Sequence, residues 1–429
     1  MTGRLSPSTL PTFMNPATEV PITTRTTRIL HGLCEFALYA WIAGLALPHA
    51  NALYNGGLVL SIVTLLPYLW LTRWRELLLL KSHLFAALLL FACWNLLSTT
   101  WSGQIALALN DWRGEMGIML QMFIPYAVIF QQRASQRRFG LFIVLLALLA
   151  IGRYAQDWYR LSLADHVLIP AYPKLREWGG RLLLSFPFLM MAGKIADDRR
   201  IRMAGWFGAL LLSILMFITA ARGVWLALGT SLGLLLLVNI KNLKTVGLMA
   251  ASCAIGFAIL LSVPNNPLKA RLDNLTYTND RVLYTWTPAI KLWQQSPLHG
   301  IGFGKKTFHS GVAELANTDM EWQKSLGSVP RETLSWIINL GPHNNYLETL
   351  AAGGIIGAVL LAYFYGATLL ALRQALATKC ALCTAAGIGL IAKYMVHGMV
   401  ESINWRAMAV LAGLLLAGHV TSRNSGKSA

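Results

Sequence analysis

The chain has 429 residues, of which 55% are hydrophobic and only 13% charged. That is too lipophilic for a soluble domain of this length, and apolar runs of about 17–25 residues, long enough to cross a bilayer as helix, recur throughout. Lys and Arg number 36 against 18 Asp and Glu, a net charge of +18; in a membrane chain such an excess concerns topology and anionic lipid, so no nucleic-acid partner is expected.

Residues 1–28 are polar, carry Pro7, Pro11, Pro16 and Pro21, and lack a cleavable signal pattern; they are expected to form a mobile cytoplasmic tail. Apolar segments follow at about 29–47, 52–71, 84–100, 114–131, 139–158, 180–196, 203–220, 224–240, 245–263, 347–371, 380–400 and 405–420. The fold class expected is an all-α integral membrane protein of about 12 transmembrane helices, nine within 29–263 and three within 347–420, with 421–429 a second tail. Alternate loops carry the cations: Arg73, Arg75 and Lys81; Arg133, Arg137 and Arg138; Lys194, Arg199, Arg200 and Arg202; Lys241 and Lys244; Arg373 and Lys379. The short loops between are cation-poor, so the positive-inside rule puts both termini in the cytoplasm. No internal repeat of 20–50 residues is evident, which disfavours the commonest transporter designs.

The polar stretch 264–346, between the ninth and tenth helices, then faces outward. Connections this long are functional or disordered. Trp286, Trp293, Trp322 and Trp336, with Leu283, Trp286, Ile290 and Trp293 at helical spacing, predict a folded, partly helical cap over a membrane-embedded site. Its run His299-Gly300-Ile301-Gly302-Phe303-Gly304-Lys305-Lys306 tempts a nucleotide reading but fails the P-loop spacing, and a tight turn is expected. No zinc-binding histidine spacing occurs, so neither metal nor cofactor is expected. Cys380-x-x-Cys383 lacks a second ligand pair and reads as two small buried residues rather than a metal or redox site.

Cations also gather at the outward ends of the helices: Arg153, Arg176, Arg181, Arg222 in the turn Thr219–Trp225, and Arg281 within Asn279-Asp280-Arg281. Arginines at membrane depth cost at least about 2.5–3.5 kcal/mol each unless paired or wetted, and mark function by default. Their surplus over nearby acids invites a multiply charged anion, and the guanidinium fork suits phosphate. Snorkelling to headgroups, or a local ion pair such as Arg153 with Asp157, is the plainer alternative. His343 precedes Asn344 and Asn345, a polar pair suited to capping the tenth helix, and so stands at a positive dipole end where anions bind.

Asp280-Arg281-x4-Trp286, Ser296-Pro297-Leu298-His299-Gly300-Ile301-Gly302, His343-Asn344-Asn345-Tyr346-Leu347 and Gly353-Gly354-Ile355-Ile356-Gly357 together resemble the bacterial O-antigen ligase and polymerase superfamily. Ala221-Arg222-Gly223-x-Trp225 looks like its small-residue-Arg-Gly turn, and Trp101-Ser102 and Arg176-x-x-Gly179 look like upstream landmarks. The chain departs from the pattern after Arg176, where Gly180-Arg181 replaces a frequent Pro-Asn pair. The resemblance implies a GT-C-like glycosyltransferase of the bacterial inner membrane with a periplasmic site. It implies undecaprenyl-diphosphate-linked O antigen as donor and lipid A–core as acceptor, with membrane lipid as surroundings. An outward-facing transferase finds no nucleotide sugar or ATP, which agrees with a donor that carries its own activation in the bilayer.

On that reading His343 orients or deprotonates the acceptor hydroxyl, and Arg222 and Arg281 stabilise the departing diphosphate without a metal, in an inverting displacement. Arg153, Arg176 and Arg181 are further candidates for the diphosphate, and Asn344, Asn345 and Tyr346 support the histidine motif. The alternatives are an O-antigen polymerase using the same donor and an anion transporter. Transport predicts mid-membrane charges on several helices, whereas apart from Glu35, Glu115 and Lys393, and the arginines near the outer ends, the helices offer few.

Overall fold

The structure is a computed structural model that describes the chain apart from residues 1–23, 166–172, most of 239–281, 328–330, 426–429 and a few isolated positions. The side chains of a few further residues, Arg176 and Trp336 among them, also lie outside the description. Among the described residues all regular structure is helical. Among the described residues, seven helices are long and apolar enough to cross a membrane: Arg25–Ala46, Asn51–Leu71, His83–Trp101, Arg133–Ala164, Arg199–Phe217, Asn345–Ala377 and Ala381–Met399. Arg222–Val238 and Trp405–Gly418 are shorter apolar helices. Helix overlies each expected segment except 245–263, which falls largely outside the described residues.

The first helix opens at Arg25 because Thr24 caps it: its hydroxyl accepts from the Thr27 backbone at 3.2 Å, and Thr27 returns the contact to the Thr24 amide at 3.3 Å. Glu35, buried in that helix, is held by the Arg138 fork at 2.6 and 2.8 Å and by the Ser135 hydroxyl at 3.0 Å. This intramembrane charge thus ties the first helix to Arg133–Asp165, a structural use. Glu115 is likewise met by Arg406 at 3.1 Å and by the Trp405 amide at 3.2 Å, which docks the start of the last helix against a π turn at Arg113–Gly117.

The membrane body has one continuous core, in which Phe91, Phe123, Tyr126, Phe139, Leu189 and Phe364 are fully or almost fully buried. The 282–338 stretch builds a second, smaller core from Ala289, Leu292, Val312, Leu315, Trp322 and Ile337, closed below by Ala351 of the Asn345–Ala377 helix. Its helices are Thr287–Gln295, Lys305–Thr318, Met320–Leu326 and Arg331–Ile338. The apolar stripe expected at Trp286, Ile290 and Trp293 is not the buried one. The π turn Val282–Trp286 leads into this helix, and Thr285, Pro288, Ala289 and Leu292 turn inward while Ile290 is exposed. A π turn holds an extra residue and so rotates the face that follows it.

The glycine-rich run forms the expected turn, and it does more than reverse the chain. Gly354 breaks the Asn345–Ala377 helix with φ 63° and ψ −162°. The break frees two carbonyls, Ala351 and Ala352, which accept from the amides of Ile301 at 2.9 Å and Gly302 at 3.0 Å. It also frees the amides of Ile355 and Ile356, which donate to the carbonyls of Pro297 at 2.9 Å and Leu298 at 3.2 Å. Irregular backbone beside a membrane is tolerated only where protein satisfies it, and these four bonds do so. Trp94 and Trp101 seal the joint, their indole N–H groups donating to Gly353 at 2.9 Å and Gly300 at 3.2 Å. Ser98 binds the Phe303 amide at 3.0 Å, and Asp111 binds the Lys305 amide at 2.8 Å where the next helix begins. The Trp101-Ser102 landmark therefore belongs to the seat of this turn.

The reading of Cys380 and Cys383 as separate small residues is corrected: they are joined as a disulfide. Cys380 caps the helix Ala381–Leu390, and three-residue spacing in a first helical turn sets the two side chains on one face, 5.4 Å apart at Cα.

Candidate active site

Asn344 is the N-cap of the Asn345–Ala377 helix, its side chain accepting from the amides of Tyr346 at 3.0 Å and Leu347 at 3.1 Å. His343, the residue before it, is held in the left-handed region at φ 47°. A non-glycine residue there stores roughly 1–3 kcal/mol of strain and persists only where its surroundings demand it. What holds the ring is a carboxylate: Nδ1 of His343 lies 2.5 Å from Oε1 of Glu401. An ionised carboxylate can only accept, so Nδ1 carries the proton and Nε2 is left as the basic nitrogen. Both side chains are partly exposed, at 32% and 41%, so the pair is open to a substrate rather than sealed in the core.

Glu401 reaches this position because the helix that begins at Ala381 does not run straight through. It passes at Ile391–Val396 into a π turn, then into a short 3-10 turn at His397–Met399, and regular structure resumes at Trp405. The carbonyls freed in the π turn are taken up by the histidine motif's own neighbours. The Tyr346 hydroxyl donates to Met395 at 2.6 Å, and the Tyr365 hydroxyl, itself accepting from Asn345 at 3.1 Å, donates to Tyr394 at 2.9 Å. Asn344, Asn345 and Tyr346 thus have separate tasks: the first fixes the helix start beside His343, and the other two brace the segment that carries Glu401.

Arg222 is the first residue of the helix Arg222–Val238, where the positive end of the helix dipole favours an anion. The turn is closed by the amides of Val224 and Trp225 on the Ala221 carbonyl, and the Trp225 indole donates back to Met216 at 3.1 Å. Gly223 is pressed against the broken helix: a Cβ there would meet Val400 Cγ2 at 2.6 Å and His397 Cδ2 at 3.2 Å. Val400 directly precedes Glu401, so the Arg222 turn and the His343–Glu401 pair both border one short segment.

The other expected cations are placed unevenly. Arg181 is exposed on the helix Pro173–Leu182, and its neighbour Gly180 packs toward Lys393, whose Nζ would lie 3.3 Å from a Cβ at that position. Arg176 lies on the same helix, with its side chain outside the description. Arg153 is engaged on its own helix, 3.2 Å from Asp157 and bonded to Gln156. Arg281 lies outside the described residues. Sequence reasoning missed Glu401, Lys393 and His397 as parts of this site. The available signal was a carboxylate and a lysine next to an otherwise apolar run ending in His397-Gly398.

The family comparison falls on part of the same region. Residues 207–362 match the family profile described as O-antigen ligase. Over 211 residues the chain is 26% identical to the O-antigen ligase of Salmonella typhimurium strain LT2, covering 46% of this chain and 48% of that protein. The chain thus spans about half the length of the curated relative it matches. These matches bear out the resemblance read from the motifs: residues 207–362 are similar to the O-antigen ligase family. Arg222, His343 and Gly354 lie inside the matched residues, whereas Lys393 and Glu401 lie beyond the family match.

Proposed function

We propose that the chain is a membrane glycosyltransferase that transfers O-antigen polysaccharide from undecaprenyl diphosphate to a sugar hydroxyl of lipid A–core. The premise is the relationship of residues 207–362 to O-antigen ligases. The observation that carries it is the His343–Glu401 pair, set beside the helix that opens with Arg222. The protein would lie in the bacterial inner membrane as a multi-pass protein of about 12 helices. Both termini would face the cytoplasm, and the 264–346 cap with its site would face the periplasm.

In this mechanism Nε2 of His343 takes the proton of the acceptor hydroxyl as its oxygen bonds to the anomeric carbon. The bond from that carbon to the diphosphate oxygen breaks on the opposite face, so the configuration inverts. Undecaprenyl diphosphate departs with the electron pair. Glu401 orients the imidazole and balances the imidazolium that forms, much as a carboxylate does behind other catalytic histidines. Arg222 and Arg281 meet the charge growing on the diphosphate, with Arg181 and Arg176 as further candidates. Arg153 contributes least, because Asp157 already engages it.

The test is ligation by purified full-length protein given undecaprenyl-diphosphate glycan and lipid A–core, with chelator present. Joined product is expected, together with its loss in His343→Ala and Arg222→Ala proteins that insert normally. Wild-type rates in those two variants would remove the assignment. Lipopolysaccharide of a deletion strain separates the nearest rival: a ligase loss leaves bare core, whereas a polymerase loss leaves core with a single repeat.

A further inference from the structure

Of the charges Glu35, Glu115 and Lys393, which the sequence places within apolar segments, two are neutralised by arginine. Glu35 is met by Arg138, and Glu115 by Arg406. Lys393 is not matched in this way: among the described residues it forms no ion pair with a carboxylate, and its polar contact is with Nδ1 of His397, 3.3 Å from Nζ. Glu401 is the acidic neighbour that acts on it, but that carboxylate is already committed to His343 at 2.5 Å. A lysine within a membrane-spanning segment is costly, and it marks a substrate or ion path unless its charge is paired.

The fold aims this ammonium rather than merely containing it. Lys393 lies in the π turn Ile391–Val396, and such turns often sit at functional sites because the extra residue redirects side chains. Gly180 leaves room for Nζ, since a Cβ there would lie only 3.3 Å away. His397, almost fully buried, stands between Lys393 and the Arg222 turn, with its ring against Gly223. Lys393 is therefore bordered by the Arg181 helix, the Arg222 helix start and the Glu401 carboxylate.

We propose that Lys393 is a further diphosphate-contacting cation of the site, positioned by His397 and supplied by the interrupted helix rather than by the arginine-bearing turns. This rests on the transferase reading above. The ammonium donates to a phosphate oxygen of the lipid-linked diphosphate, which gives its charge the ion-pair partner that no carboxylate among the described residues provides. His397 is a positioning residue that accepts from the ammonium and holds it toward Arg222.

The experiment measures thermal unfolding of the detergent-purified full chain while undecaprenyl diphosphate, undecaprenyl monophosphate or phosphatidylglycerol is added. The wild type should be stabilised most by the diphosphate. Lys393→Met should weaken that binding on the order of tenfold or more, and Lys393→Arg should keep most of it. Ligation by Lys393→Met should show a raised KM for donor with an unchanged KM for acceptor.

If Lys393→Met does not fold, acylation of Lys393 in the wild type, read by mass spectrometry, serves instead, and the diphosphate should protect it. Equal diphosphate binding by wild type and Lys393→Met, or labelling that diphosphate leaves unchanged, overturns the assignment while leaving the transferase reading intact. Equal stabilisation by phosphatidylglycerol with the same dependence on Lys393 makes this a headgroup site and also overturns it. A wild type that binds no diphosphate removes the transferase reading and the inference together.

Discussion

Replacing Gly354 by alanine should detach the cap from the membrane helix it rests on. The backbone there, at φ 63° and ψ −162°, lies in a region essentially reserved for glycine, and an L residue in it costs roughly 1–3 kcal/mol. The added Cβ would also collide with the Leu298 carbonyl group and the His299 nitrogen, which are backbone atoms that no rotamer change can move aside. Relief requires the 297–302 turn to withdraw, breaking the four backbone bonds to Ala351, Ala352, Ile355 and Ile356. At about 0.5–1.5 kcal/mol net for each bond, several kcal/mol are at stake, enough to open the joint rather than bend it. Hydrogen exchange in detergent should show the amides of Ile301, Gly302, Ile355 and Ile356 losing protection together, and ligation should fall with them. Gly366→Ala, in the same helix with open space around it, is the control and should be neutral or slightly stabilising. Wild-type protection at those four amides in Gly354→Ala would refute this account of the break.

Glu401→Ala should slow ligation by about 10²–10⁴-fold, the usual worth of general-base assistance. The double variant with His343→Ala should be no slower than His343→Ala alone, because the carboxylate acts through the ring; additive losses in the measured rates would separate them. Arg222→Lys should retain charge yet lose about 10²–10³-fold in rate, since a point charge cannot reproduce a two-pronged donor, and an assay with purified lipids reads this directly. His309, in the cap, is held below the ordinary histidine range by burial and then by Lys305 and Lys306, against a weaker opposing pull from Asp111. The unfolded chain therefore binds the proton more readily, and cap stability should decline as pH falls below about 6.5 and level off below the folded-state value. His309→Leu should flatten that slope in thermal unfolding followed from pH 8 to 5.

Much of the frame was legible because membrane helices are written in composition. Long apolar runs have few alternatives in a bilayer, so helix appears wherever the sequence places one and the structure describes the residues. Gly300, Gly302 and Gly304 announced a turn, and all three adopt positive φ. Asn344 announced a cap. The interior of the site was harder to read for two physical reasons. The run from 380 to 400 looks like one uninterrupted helix, yet a π turn at Ile391–Val396 halts it and releases Glu401 toward His343. Such turns depend on remote acceptors and donors, here Tyr346 and Tyr365, that no local pattern reveals. The second reason is phase: another π turn, at Val282–Trp286, displaced the inward face of the following helix from the tryptophans to Ala289 and Leu292.

The floor of the small core at 282–338 is Ala351, a residue of a membrane-spanning helix. The tryptophan-bearing lid consequently has no complete interior of its own, and it should not be separable as a water-soluble ectodomain. Chimeras that exchange this lid between related proteins would have to carry the first turns of the underlying helix with it, up to and including the Gly354 break.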